Sequence, residues 1–292
     1  MSVGVEGALV IPATRCEIQE ASGTDWNSGR YLHELVHQPH AGRLHYAMSF
    51  ASRAGFETLV TWMLAAPWIA IALWRSRQRR WWPLVAMLGI VAIDNFVLSL
   101  PRTGPFAGLA WSWQGKLLEI VLAIVSVAVT PGLTFDSIGV TAQLRPGWRA
   151  GLAAVVGVSL ALPITFIIWL GARDTLTPEG WLFEATAPGI AEELIFRGVL
   201  LALADRAFGR PYRVAGAELG WGAIVTSVIF ALVHVVNVER DGALHVELLL
   251  GIGPLIGGLI ASWARARVGS LLPLMLAHNA SNLVIPLVTY LL

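Results

Sequence analysis

Residues 191–198, AEELIFRG, place two adjacent carboxylates, Glu192 and Glu193, and a guanidinium, Arg197, inside an apolar run over 181–204. Side chains of these types serve as general acids and bases, bind cations, or pair with one another. At the centre of a membrane helix each costs at least about 2.5 kcal/mol, so such groups in lipid usually line a cavity or a pathway. Helical residues four apart share a face, whereas neighbours diverge by about 100°. Glu193 can therefore pair with Arg197, which leaves Glu192 to face elsewhere. Taken alone, the trio fits a structural ion pair between helices as well as it fits chemistry.

Two more polar patterns lie downstream in apolar surroundings, Phe230-Ala-Leu-Val-His234 and His278-Asn-Ala-Ser-Asn282. Each pairs residues four apart on one helical face. A lone histidine in an apolar helix is most often a core residue bonded to a backbone carbonyl. Two histidines, an asparagine and a diacid in three helices of the same half point to a shared site. At a rise of about 1.5 Å per residue, Glu192 lies ~17 Å from the cytoplasmic end of its helix, His234 ~22 Å, His278 ~12 Å and Asn282 ~18 Å. In a hydrocarbon core near 30 Å, all four can meet at mid-membrane.

A competing signal sits near the start, where His33-Glu34-Leu35-Val36-His37 matches HExxH and is followed by His40 and His45. On a helix its two histidines could hold zinc, with Glu34 as a base on the metal's water. Pro39 biases the chain out of helix just beyond the motif, and no third protein ligand follows on a long helix. An interfacial amphipathic helix carrying Tyr31, Leu32, Leu35 and Val36 is the alternative for this polar segment, residues 1–55.

The elements that must position these groups are membrane helices. Hydrophobic residues make up 56% of the chain and charged residues 13%, which places it in the membrane class. A net charge of +1 argues against nucleic acid as a partner, and the single cysteine, Cys16, excludes an intrachain disulfide. Apolar runs near 20 residues predict eight spans, at 56–74, 81–100, 117–135, 148–170, 181–204, 219–238, 244–264 and 270–292. Eleven arginines, from Arg75 to Arg267, fall in one set of alternate loops, against Arg102, Lys116, Arg173 and Arg240 in the other. That bias puts the arginine-rich loops in the cytoplasm and both termini outside. The expected fold is all-α, a polytopic bundle of about eight transmembrane helices over residues 56–292. Asp94 and Asn95 in the second span are expected to partner another helix. Thr177-Pro178-Glu179 is expected to cap the fifth.

The ordered set EExxxR (Glu192, Glu193, Arg197), FxxxH (Phe230, His234) and HxxxN (His278, Asn282) resembles the CPBP intramembrane proteases. That group contains the type II CAAX prenyl endopeptidase and the bacterial Abi proteins. The resemblance covers about residues 140–292 and includes the run ARVGSLLPLMLAHNASN. The helix before the last motif departs from the family pattern, with Leu where Phe is expected and with Pro254 added.

The resemblance implies an intramembrane endopeptidase acting on a membrane-associated peptide or protein. In it Glu192 activates water, His234 helps to position or deprotonate that water, and His278 and Asn282 stabilise the oxyanion. Glu193, Arg197 and Phe230 support them. Burial makes a carboxylate a better base, and donors aimed at an oxyanion contribute about 3–4 kcal/mol each. The same atoms offer a zinc-assisted route, with Glu192, His234 and His278 as ligands and Glu193 as base. The sequence leaves metal-free and zinc-dependent hydrolysis both open, with the weaker metal alternative at His33 and His37. The other function classes it leaves open are a non-proteolytic membrane scaffold or immunity partner of the same fold, and metal handling by the N-terminal histidines. Membrane lipid is the expected surrounding, and the cell (plasma) membrane the expected location.

Overall fold

The computed structural model describes residues 48–76 and 80–292. The HELVH motif with His33 and His37, the other N-terminal histidines and Cys16 lie outside the described residues.

Helix α1 (Phe50–Arg75) begins where the Ser49 hydroxyl accepts from Ser52 N at 3.1 Å, and it continues through Pro67. Helix α2 (Trp81–Leu98) lies against it, and Asn95 Nδ2 donates to Thr58 Oγ1 of α1 at 2.9 Å. That bond joins the two helices through Asn95, the neighbour of the Asp94 from which such a partnership is expected. Helix α3 (Trp113–Val129) ends at Thr130-Pro131-Gly132, where Gly132 takes a φ of 76°. A single turn, α4 (Phe135–Ile138), precedes α5 (Trp148–Leu170), which runs between left-handed Gly147 and Gly171.

Helix α6 (Pro178–Glu192) opens as the sequence predicts, with Thr177 accepting from Gly180 N and proline at the first position. Glu179 also ties α6 to the start of α3, because its carboxylate accepts from Ala110 N, Trp111 N and Trp113 Nε1 at 3.0–3.2 Å. The helix does not stop at Glu192. It widens into a π-helical segment over Glu193–Leu200 and tightens again as α7 (Leu201–Phe208). After the hairpin β1–β2 (Tyr212–Val214, Ala217–Leu219) come α8 (Trp221–Val235) and a second hairpin, β3–β4 (Val236–Val238, Leu244–Val246). Helices α9 (Ile252–Val268) and α10 (Leu272–Leu291) close the bundle.

One apolar cluster joins α1, α2, α3, the π segment, α7 and α8, and a smaller one joins α5, α9 and α10. Leu194 packs against both, so the carboxylates sit where the two meet. The polarity of the bundle is inverted relative to a water-soluble one. Trp74, Ile168, Leu276 and Tyr290 point outward, while Glu57, Asp94, Lys116, Glu119, Glu184 and Glu192 are buried. Lipid accepts apolar side chains and rejects charges, which explains both halves of that pattern.

Helices occupy all eight places predicted for spans, and the helical-bundle expectation holds. The count of eight full crossings is not confirmed: among the described residues four helices, Phe50–Arg75, Trp81–Leu98, Trp148–Leu170 and Leu272–Leu291, are long and apolar enough to cross a membrane. Thr130-Pro131-Gly132 ends α3, and strand residues or glycines bound α8 and α9, whereas α6, the π segment and α7 run on without a break and carry Glu184, Glu192, Glu193 and Arg197 within the predicted span. The span expected over 244–264 begins as strand β4 and turns, and becomes helix only at Ile252. There Pro254 occupies the first turn, where its missing N–H costs nothing.

Candidate active site

Glu192 is the last residue of α6 and is 5% exposed. Its Oε1 accepts from Lys116 Nζ of α3 at 2.8 Å. Its Oε2 has no hydrogen-bond partner and faces His278 Nε2 at 3.6 Å and His234 Nε2 at 3.9 Å. Three helices thus bring the glutamate and both histidines together, as their depths along the sequence predict.

The two imidazoles differ in what backs them. His234 Nδ1 lies 2.7 Å from the Phe230 carbonyl, which can only accept. His234 therefore donates from Nδ1, and its neutral ring presents a lone pair at Nε2. His278 Nδ1 lies 2.9 Å from Glu193 Oε1. A carboxylate oxygen accepts from an Nδ1–H there, and in its imidazolium form His278 also presents an N–H at Nε2. Arg197 Nη1 stands 3.3 Å from the same Glu193 oxygen, the pairing expected from the four-residue spacing. Phe230 is packed between these groups. Its ring meets His234 edge-on at 4.5 Å between centroids, and Arg197 Cζ stacks over it at 3.9 Å.

Asn282 departs from expectation. Its amide is already engaged, with Nδ2 donating to Glu184 Oε2 at 2.6 Å, although it lines the same cavity as His234 and His278. The second N–H of that amide remains for another acceptor. Next to His278, Asn279 clamps α6 from α10: Oδ1 accepts from Gly189 N at 2.7 Å and Nδ2 donates to Thr186 O at 3.0 Å. A side chain at Gly189 would collide with Asn279 and with the Met275 carbonyl, so glycine is needed for this approach.

The histidines open onto a cavity of about 280 Å³. Its apolar wall includes Leu162 and Phe166 of α5, Gly253 and Gly257 of α9, and Ile285 of α10. A Cβ at Gly253 would lie 3.0 Å from the Phe166 ring, so the two α9 glycines keep the space beside α5 open.

Sequence reasoning misses Lys116, Glu119, Glu184 and Asn279 as parts of the site. Lys116, expected in an outside loop, lies in the first turn of α3, is 4% exposed, and also donates to Glu119 Oε2 at 2.9 Å. Two signals mark it: it is the chain's only lysine among 20 basic residues, and an acid stands three positions on in an apolar helix.

The donor set can be judged against zinc. A tetrahedral ion with bonds of about 2.0–2.1 Å sets neighbouring ligand atoms about 3.4 Å apart. The separations of 3.6 and 3.9 Å are wider than this, and an ammonium holds the other Glu192 oxygen. Among the described residues no group of three or more His, Cys, Asp or Glu meets the requirements of a metal site. As arranged, Glu192, His234 and His278 stand wider than the ligands of a closed tetrahedral zinc site.

Residues 176–284 match the family Type II CAAX prenyl endopeptidase Rce1-like. The resemblance carried by the three motifs is borne out over this segment, which holds every motif residue from Glu192 to Asn282. No curated protein and no solved structure matches the chain. The match supports a membrane-embedded protease, a hydrolase in the broad sense. Lys116 and Glu119 lie outside the matched segment.

Proposed function

We propose that the chain is an intramembrane endopeptidase of the cell membrane that hydrolyses a peptide bond of a membrane-associated substrate, in the manner of the CAAX proteases. The observation that carries the reading is Glu192 Oε2, a buried carboxylate oxygen with no hydrogen-bond partner, which stands behind His234 and His278 and faces their Nε2 atoms, while those two imidazoles, and not Glu192 itself, line a mostly apolar cavity. Such an oxygen is a base aimed at the place where a water and a scissile carbonyl would meet.

In this mechanism Glu192 Oε2 takes a proton from water while the lone pair of His234 Nε2 holds the water's other hydrogen. The water oxygen bonds to the carbonyl carbon, and the carbonyl oxygen becomes an oxyanion. His278, protonated on both nitrogens against Glu193, donates from Nε2 to that oxyanion, and the free N–H of Asn282 supplies a second donor. The C–N bond then breaks as the proton held by Glu192 passes to the leaving nitrogen. Leu162, Phe166 and Ile285 hold the apolar part of the substrate beside the reacting bond.

The test uses the full-length chain in liposomes with a quenched fluorescent farnesylated CAAX peptide, and its unprenylated counterpart as control. The wild-type chain should cleave the peptide, and Ala at Glu192, His234 or His278 should abolish cleavage without loss of folded protein. Full cleavage by Glu192→Gln would make the carboxylate structural and overturn the reading.

A further inference from the structure

Lys116 comes from α3, outside the segment that matches the family, yet its Nζ forms the only hydrogen bond to Glu192's carboxylate among the described residues. The ammonium bridges two buried carboxylates, donating to Glu192 Oε1 at 2.8 Å and to Glu119 Oε2 at 2.9 Å. Close packing fixes where it stands: a Cβ on the preceding residue, Gly115, would lie 2.6 Å from Ser112 Oγ and 3.2 Å from Leu98 of α2. The first turn of α3 is also pinned to α6 through the three donors held by Glu179.

We propose that Lys116, anchored by Glu119, is the positioning residue of the active site: it holds Glu192 Oε1 and so turns Oε2 alone toward His234 and His278. The inference rests on the endopeptidase reading above.

The electrostatics require such a group. The Lys116 ammonium is the cation hydrogen-bonded to the Glu192 carboxylate, and Glu119 holds it there from the other side. Without it a buried Glu192 carboxylate would stand in low dielectric with no hydrogen-bonded cation, which favours its protonated form. A protonated Glu192 cannot accept a proton from water. Its carboxyl, freed from Oε1, can also rotate away from the imidazoles. Lys116 does not line the cavity, so its removal should leave substrate binding intact. The other charged or titratable groups around Glu192 are His234 on α8, His278 on α10, Glu184 on its own helix, Glu193 with Arg197, and Asp94 on α2 beyond Glu119. None is altered in the variants below.

The experiment compares Lys116→Met, Lys116→Arg and Glu192→Gln in the reconstituted full-length chain, with the farnesylated CAAX peptide as probe and kcat normalised to folded protein. Lys116→Met should lower kcat about 100-fold or more, on the scale of a lost general base, with KM changed less than about twofold. Lys116→Arg, which keeps the charge, should recover at least about tenfold of that loss. Infrared difference spectra, which need no turnover, should show more protonated-carboxyl C=O absorption at neutral pH in Lys116→Met than in the wild-type chain, and the excess should disappear in Lys116→Met/Glu192→Gln. Wild-type kcat per folded molecule in Lys116→Met, with Glu192→Gln inactive, overturns this inference and leaves the endopeptidase reading standing. An unchanged infrared spectrum in Lys116→Met overturns it independently of activity. Full activity in Glu192→Gln overturns the endopeptidase reading itself.

Discussion

Replacing Glu193 by Gln separates what this carboxylate does for the fold from what it does for chemistry. The side chain is 2% exposed and serves two cations at one oxygen, Arg197 at 3.3 Å and His278 Nδ1 at 2.9 Å. Gln keeps the shape and an acceptor but loses the charge. Stranding the buried Arg197 should destabilise the fold by about 3–5 kcal/mol, the usual result of breaking a buried pair from one side. Arg197 retains its stack over Phe230 at 3.9 Å, which offsets up to about 2 kcal/mol if that contact strengthens. The hydrogen bond to His278 falls from charge-assisted to neutral, a loss of about 1–1.5 kcal/mol that removes support from the imidazolium. If the oxyanion relies on that imidazolium, kcat per folded molecule drops about tenfold. The double variant Glu193→Gln/Arg197→Met removes the stranded cation. Denaturant titration in detergent should then show most of the stability restored, while peptide cleavage stays low. A single variant as stable as wild type, or a double variant that regains kcat, would refute this assignment.

Four further outcomes follow from the same geometry. Asn279→Ala removes both clamping bonds and leaves the buried Gly189 N without its acceptor, and should cost about 1–3 kcal/mol, the usual range for one unsatisfied buried group, read by thermal unfolding in detergent. Gly257→Leu extends a side chain into the cavity from a Cβ site 3.8 Å from Leu162, and should raise KM for the farnesylated peptide with little change in melting temperature. Asn282→Ala should lower kcat about 100-fold if its second N–H meets the oxyanion. Asp174, in the loop between α5 and α6, is held above its ordinary value of 3.8 by burial. A carboxyl raised on folding favours the native state while protonated and withdraws that stability as pH rises through its folded value. Asp174→Asn should accordingly flatten the decline in melting temperature that the wild-type chain shows as pH rises above the ordinary aspartate value.

The chemistry-bearing motifs are legible in the sequence because their spacing matches the helical period and because charges in apolar runs stand out. Glu192, His234 and His278 meet as the helical depths require, and Thr177 caps α6 as its residue type suggests. Lys116 escapes because the apolar run of α3, broken by no charge but Glu119, starts at Leu117, so the lysine before it reads as a loop charge. Its burial depends on two acceptors from different places in the chain, Glu119 and Glu192, which no local pattern joins. Glu184 stands two turns before Glu192 on a similar face, but inside an apolar run it carries no motif of its own. Asn279 is hidden by attention to residues four apart: it points from α10 to the backbone of α6, while its neighbour His278 points to Glu193. The apolar runs outnumber the long apolar helices because hydropathy does not register where proline, glycine or a strand ends a helix, as at Thr130-Pro131-Gly132, or where one run holds several charges, as over 181–204. Leu244–Val246, which opens the apolar run over 244–264, forms a strand.

The change of pitch at Glu193 has a geometric reason in the two glutamates themselves. Both meet the same ring, Glu193 at Nδ1 of His278 and Glu192 at Nε2, while Glu192 must also reach Lys116 on another helix. On a regular α-helix adjacent side chains diverge by about 100°, which carries one of them off a neighbouring imidazole. The wider π turn beginning at Glu193 lessens that divergence and lets consecutive carboxylates address opposite nitrogens of one histidine. Upstream, Pro188 has no N–H to give and Gly189 gives its N–H to Asn279, so the preceding turn is also held from α10. The backbone irregularity and the side-chain convergence are therefore one feature. A helix of uniform pitch carrying the same EExxxR residues would offer one glutamate to His278 and turn the other away.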